Sequence, residues 1–305
     1  MKYRALGKTN LHVSVIGIGT WQFGGEWAKA FTQEEATRIL GKGRELGLNL
    51  IDTAECYGDH LSESFIGAAI ASGDAGRRED WILATKFGHT FHGYMNRTDD
   101  RSAADVLKQL ELSLKALRTD YIDLYQYHSV RDSEFDDVEV WAVLEKAVRE
   151  GKIRHIGNSV SAASTSAGGK NYQVDRSAEA HVGAIQLVYN RLDRHPEEAV
   201  LPSCERQRLG VLARVPMASG LLSGKYKPGT RFPADDVRSN QDAEKLQKRL
   251  REVEEIAKTE VPAGVPMARW ALAWCLKNPV VSCVIPGCKT VEQVEENARA
   301  AELVG

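Results

Sequence analysis

The sequence predicts a (β/α)8 TIM barrel folded as a single α/β domain, on three observations. Short apolar runs rich in β-branched residues alternate with longer stretches of helical periodicity from near the first residue to near the last, which is the pattern of βα units and a parallel sheet. The runs number eight: Val15 to Gly19, Leu48 to Thr53, Trp81 to Thr85, Ile122 to Tyr127, Ile153 to Gly157, Ala184 to Val188, Val211 to Val215 and Cys283 to Ile285. Finally, no Gly-x-Gly-x-x-Gly turn follows an early strand, which argues against a six-stranded doubly wound sheet. At 305 residues the chain fits one barrel, a fold that commonly runs to about 250 residues.

The helices between the strands carry their own signals. Thr32-Gln33-Glu34-Glu35 is a capping box, Ala36, Ile39, Leu40 and Leu46 follow as an apolar stripe, and Gly47 stops the helix. Ser102 with Asp105 opens the next, in which Leu107, Leu110, Leu114 and Leu117 keep three-and-four spacing. A third spans Val138 to Glu150 and ends at Gly151. Two stretches break the alternation. Ser161 to Gly183, rich in Ser, Ala and Gly, contains a helix without clear bounds. Residues 217–240 read as a long loop after strand seven, followed by helices around Asp242 to Lys258 and Met267 to Lys277; a loop of that length in a compact domain is commonly functional.

Composition excludes several function classes. Forty basic and 42 acidic residues spread along the chain give a net charge of −2, no footprint for nucleic acid or an anionic membrane. No apolar run reaches the roughly 20 residues of a membrane span, and the opening Met1-Lys2-Tyr3-Arg4 lacks the features of a secretory signal. Five scattered cysteines without Cys-x-x-Cys spacing read as free thiols, so a cytoplasmic address is expected. His89, His92, His155, His181 and His195 lack ligand spacing and read as surface or loop residues, so no metal site is expected.

In a barrel the reactive groups lie just past the C-terminal ends of the strands. Strand two runs into Asp52-Thr53-Ala54-Glu55-Cys56-Tyr57-Gly58, strand three into Thr85-Lys86 and strand four into Tyr127-His128, so three strands deliver ionisable groups to one rim. Taken singly, an Asp there is also an ordinary helix cap and a Tyr-Gly an ordinary turn. Together, a carboxylate beside a lysine keeps the ammonium charged, and that charge is expected to lower a neighbouring phenol from its usual pKa of about 10.

The motifs Asp52-Thr53-Ala54…Tyr57-Gly58, Ala84-Thr85-Lys86 and Asp123-Leu124-Tyr125-Gln126…His128 resemble those of the aldo-keto reductases, in that family's order and over nearly the whole chain. The resemblance implies that Tyr57 is the general acid that protonates a carbonyl oxygen, that Lys86 and Asp52 tune it, and that His128 orients the carbonyl. Hydride would come from a nicotinamide, the protein supplying position and electrostatics.

The same resemblance implies a cofactor site. Ile285-Pro286-Gly287-Cys288-Lys289-Thr290 leads from strand eight into a helix with Gln293 and Asn297 on one face, and a helix N-terminus beside a cation suits an anion. Thr290 and Gln293 also make a capping box that needs no ligand. With Glu296, the run is similar to the family segment that binds the adenosine 2′-phosphate and adenine, and Lys289 points to NADPH rather than NADH. Gly19, Thr20, Trp21 and Asp52 at the first two strand ends, Ser159, and Gln186 with Arg214 complete the nicotinamide end. Pro216, Gly220, Leu221, Ser223 and Lys225 resemble the segment over the diphosphate, which makes 217–240 the expected cofactor clasp. Two positions depart from the common pattern, as in a bacterial subgroup. Gly157-Asn158-Ser159-Val160 stands for Gly-x-Ser-Asn, leaving Asn158 as the substitute amide, and Arg214 takes the place of a stacking aromatic, a role a planar guanidinium can fill.

Trp21, Phe23, Trp27, Phe87, Tyr94 and the region after His128 are the expected substrate wall. The chain ends at Gly305 soon after the last helix, so an open, permissive pocket for small carbonyl compounds is expected, in a monomer or weak homo-oligomer. Two other readings remain at this stage: a barrel aldolase forming a Schiff base on Lys86, and an NADPH-binding regulatory module like the channel β-subunits of the same superfamily.

Overall fold

A computed structural model describes residues 1–161 and 171–305. Eight parallel strands form one sheet in sequence order: β1 (Ile18–Gly19), β2 (Leu50–Asp52), β3 (Ile82–Phe87), β4 (Ile122–His128), β5 (Ile153–Ser159), β6 (Val182–Val188), β7 (Gly210–Arg214) and β8 (Cys283–Val284). The two ends of the sheet meet. Parallel bridges join Ile16 to Val284 and Gly19 to Gly287, and Val284 N donates to Val15 O at 3.0 Å. The sheet is therefore a closed barrel. Closure draws β1 so near the chain after β8 that a Cβ on Gly19 would lie 2.8 Å from the Ile285 carbonyl oxygen, which is why a glycine stands there.

The pleat sorts the side chains. Leu50, Ala84, Leu124, Ala184, Leu212 and Cys283 meet inside the barrel, and Leu6 and Val13 plug its lower end from an antiparallel hairpin of Tyr3–Ala5 with His12–Ser14. Two residues further along their strands, the same inward positions are Asp52, Lys86, Gln126, Gln186 and Arg214. One period-2 alternation thus stacks a polar layer on an apolar plug, at the C-terminal end of the barrel.

The outward positions pack against the helices, and here expectation and structure agree for the strongly capped ones. Helix α1 (Gln33–Glu45) starts with the complete Thr32–Glu35 capping box and is followed by Gly47 at φ +81°. After α2 (Leu61–Ala71), which the sequence reading did not distinguish, comes α3 (Ala103–Leu117), whose N-cap Ser102 accepts from Asp105 N. Leu110, Leu114 and Leu117 are buried as expected, while at the first turn Val106 takes the inward place and Leu107 is exposed. Helix α4 (Val138–Arg149) lies where predicted. Within Ser161 to Gly183 the structure has a single helical turn at Tyr172–Asp175, and 162–170 lie outside the described residues. Helix α5 (Val200–Gln207) is a further element that the sequence reading did not distinguish; it has no side-chain N-cap and carries Pro202 in its first turn.

The 217–240 segment is irregular apart from short 3-10 turns at Ala218–Ser223 and Val237–Asn240. Helices α6 (Ala243–Thr259) and α7 (Met267–Leu276) follow it, and α8 (Val291–Ala298) closes the ring. The segment is anchored from below, because Leu221 and Leu222 pack with Leu246, Leu250, Val253 and Trp270 in a second core. A rim hairpin of His89–Gly93 with Asn96–Asp99 stands over the C-terminal mouth, also unforeseen. Among the described residues no helix is long and apolar enough to cross a membrane.

Candidate active site

The polar layer at the top of the barrel is one connected network. Lys86, fully buried, donates to Asp52 Oδ1 at 2.8 Å, to the Thr53 carbonyl at 2.6 Å and to Tyr57 Oη at 3.3 Å. Asp52 Oδ2 accepts from Gln186 at 2.6 Å and from Gln126 at 3.2 Å, and the two amides bond each other at 3.1 Å. Both oxygens of this buried carboxylate are thereby hydrogen-bonded. The packing leaves no room beside it: a Cβ on Gly157 would come within 2.8 Å of Gln126 Cγ.

Burial works against the Lys86 ammonium, but Asp52 and Tyr57 outweigh it and raise its pKa, so the side chain is a permanent cation. Tyr57 departs from the sequence expectation. Burial pushes its phenol up to about 12; Lys86 pulls the other way without overcoming it, and Asp52 adds to the rise. Desolvation of a phenolate with a carboxylate nearby is the larger effect, so Tyr57 keeps its proton throughout the neutral range. His128, at the end of β4, is driven well below its ordinary value by burial first and then by His89 and Lys86, and is a neutral imidazole.

These groups open into a cavity of about 720 Å³, within the range of cofactor and ligand sites. Asp52, Tyr57 and His128 lie at its floor, and the cavity runs beneath the 217–240 segment to the start of α8. Fifteen expected cofactor residues line it: Gly19, Thr20, Trp21, Asp52, Gln186, Arg214, Pro216, Gly220, Ser223, Lys225, Gly287, Lys289, Gln293, Glu296 and Asn297. Three others do not. Leu221 faces the second core, Thr290 caps α8 through Gln293 N, and Ser159 sits behind the wall, its hydroxyl directed at Gln186.

Asn158 does not take the place of the missing amide. It is fully buried and donates to Gln173 at 3.0 Å, because the pleat that turns Ser159 inward turns its neighbour to the helix side. Arg214 does reach the cavity, donating to the Val160 carbonyl at 3.1 Å, with its Nε free of partners among the described residues. Of the expected substrate wall, Trp21 and Trp27 line the cavity, edge to face at 5.1 Å, and Trp21 stacks near Tyr57. Phe23 and Phe87 are core residues without exposure, and Tyr94 is exposed on the rim hairpin.

Several cavity residues escaped the sequence reading. His89 is no ordinary loop residue: its ring packs against His128 at 4.8 Å. Arg97 comes from the same hairpin and pairs with Glu26, a buried carboxylate that also accepts from Trp21 Nε1 at 2.5 Å. Arg238, from the predicted clasp, is bidentate to Asp236 and stacks over Phe232 at 4.0 Å. Trp27 bridges to Asp236, which carries the clasp across the cavity mouth, and Lys289 donates to the Trp27 carbonyl. Clusters assembled from residues as far apart as Trp27 and Lys289, 262 positions, leave no local signature. The same holds for Glu55, Cys56 and His128, whose donor atoms lie within 4.8 Å of one another although sequence spacing suggested no ligand set.

Comparison with known proteins agrees with this geometry. A family model described as the aldo/keto reductase family matches residues 15–304. An uncharacterized oxidoreductase of Bacillus subtilis, YrpG, is 34% identical, over 99% of this chain and 92% of its own length. The fission yeast Schizosaccharomyces pombe protein named aldo-keto reductase yakc [NADP(+)] is 31% identical over 89% of this chain and 79% of its own. Among solved structures, the aldo-keto reductase AKR11C1 from Bacillus halodurans, in its holo form, superposes with a TM-score of 0.81 at 33% identity, covering 99% of this chain and 91% of that one.

Proposed function

We propose that this chain, which belongs to the aldo/keto reductase family, reduces aldehydes or ketones to alcohols reversibly with NADPH, Tyr57 serving as general acid. The observation that carries the reading is the position of Lys86 Nζ, 2.8 Å from Asp52 Oδ1 and 3.3 Å from Tyr57 Oη at the floor of a dinucleotide-sized cavity.

NADPH fits the residues present. Lys29, Lys225 and Arg238 lie close enough to Lys289 to depress its pKa, after burial, so four cations gather near one end of the cavity. Ser219 and Gly220 line the cavity at positive φ, beside the Ser223 hydroxyl and the Lys225 ammonium, groups suited to an anion. Buried Gln22 Oε1 and Arg214 Nε lack partners among the described residues and come from cavity-lining residues; a bound N–H would satisfy the first, an acceptor, and a carbonyl or phosphate oxygen the second, a donor. The cofactor, when bound, supplies hydride to the carbonyl carbon. The chain's own residues do the rest. Tyr57 Oη gives its proton to the carbonyl oxygen, and Lys86 stabilises the phenolate left behind. Asp52, fixed by Gln126 and Gln186, holds Lys86 in place, and neutral His128 donates to the same carbonyl oxygen and orients it. Because Tyr57 stays protonated up to about 12, the acid form is the resting form at neutral pH.

The test is titration with NADPH and NADH followed by oxidation of each with a generic aldehyde, in wild type and Tyr57→Phe. Loss of a general acid lowers kcat by about 10²–10⁴-fold. Tight NADPH binding in both proteins with turnover lost in Tyr57→Phe supports the reading. Absence of nicotinamide binding removes it and brings forward the Schiff-base alternative on Lys86, which borohydride trapping would reveal. Retained binding without turnover in wild type, with a protein partner, would mark a regulatory module.

A further inference from the structure

Glu55 has no part in the steps above, yet it is 3% exposed, two residues before Tyr57. Its Oε1 accepts from the His89 backbone N–H at 3.0 Å. Its Oε2 is buried with no hydrogen-bond partner among the described residues and lies 4.0 Å from His128 Nδ1. Cys56 Sγ is 3.8 Å from the same nitrogen, a weak partner at best. A buried carboxyl with one oxygen unpaired is costly as an anion and much less so as a neutral acid that donates.

Burial and the Glu63 carboxylate favour the neutral acid, and Lys86 opposes them. Glu63 faces it from α2, Lys86 from β3, Tyr125 and His128 from β4, and Cys56 and His60 from its own loop. Burial raises the carboxyl to about 8, with Glu63 acting in the same direction against the His89 amide and Lys86. The proton belongs on Oε2, since Oε1 is already an acceptor. A neutral imidazole carries a single N–H, and the partner of one ring nitrogen decides which nitrogen holds it.

We infer that Glu55 is a positioning residue for His128: Oε2–H donates to Nδ1, so the ring keeps its own proton on Nε2 and offers it to the substrate carbonyl. The inference rests on the reductase reading of the site. Closing the gap to hydrogen-bond distance takes about 1 Å, the kind of tightening catalytic contacts undergo in the complex. Ionisation of Glu55 removes the donor, so the sign of the pH effect is a loss of rate as pH rises through about 8.

The experiment is long-range ¹H–¹⁵N correlation of the histidine-labelled full chain with NADPH, His128 being assigned by loss of its signals in His128→Ala, together with kcat against pH. Wild type should show the Nε2–H tautomer at neutral pH and an alkaline fall near pH 8. Glu55→Leu should mix the tautomers and lower kcat about 100-fold, the cost of a misplaced catalytic group, without changing KM for NADPH. Glu55→Gln, whose carboxamide can still donate to Nδ1 and accept from His89, should rescue the tautomer and most of the rate and abolish the alkaline fall. A proton on Nδ1 in wild type, or an unchanged spectrum and kcat in Glu55→Leu, overturns the inference. If wild type turns over no carbonyl, the reductase reading falls alone, and the spectrum still decides whether Glu55 sets the ring.

Discussion

Two buried aspartates, at opposite ends of the barrel, make similar ion pairs to different ends. Asp52, at the C-terminal end of β2, has one cation, Lys86, and two neutral amides. Asp123, near the start of β4, is clamped by Arg78 and Arg154, both at 2.7 Å, and accepts from Leu83 N at 3.0 Å. The two guanidiniums also sandwich Tyr121, at 3.9 and 4.0 Å. Arg154 is half exposed, so the lower cluster keeps contact with water and its charges are screened. Lys86 has no exposure, and it shares its charge with Tyr57. A buried aspartate thus points to chemistry only where its cation is desolvated and touches a third titratable group in a cavity.

The sharpest way to break this comparison is to remove the shared cation. Lys86→Met should lower kcat/KM by about 10³-fold, since a preorganised charge in a dry site stabilises the phenolate far more than one in water. Steady-state kinetics of a variant whose circular dichroism matches wild type checks it, and a change below tenfold would sever the link between Lys86 and Tyr57. At the other end, Asp123→Asn should leave kcat untouched but destabilise the fold by about 2 kcal/mol, because charge-assisted bonds to two arginines are weakened. Urea unfolding reads that loss; a kinetic effect without a stability effect would erase the contrast between the two aspartates. The smallest effect is expected at Asn158→Ala. The side chain faces Gln173, so about 1 kcal/mol of stability is lost while NADPH affinity stays the same by fluorescence titration. Weakened binding there would restore Asn158 to the nicotinamide site.

Legibility in the sequence follows the range of the interactions involved. Helices α1 and α3 were readable because their caps are local, three residues from Thr32 to Glu35 and from Ser102 to Asp105. Helix α2 was not: its N-cap His60 makes no side-chain cap, and Ser62 and Glu63 on its buried face hide the apolar stripe. The four residues proposed to be catalytic are legible as motifs at strand ends. The phenol's acidity was misjudged because a neighbouring lysine is visible in sequence and the depth of burial is not.

The sequence by itself determined the eight strands, their order and the capped helices, since a period of two residues and a cap three residues long are properties of contiguous chain. Tertiary structure alone decided how far each charge is desolvated, that Asn158 turns to Gln173 while Ser159 turns to Gln186, and that His89, Arg97 and Arg238 line the cavity with buried Glu26 against Arg97 and buried Glu55 against His89. Those outcomes depend on the distance and dielectric between groups brought together only when the barrel closes.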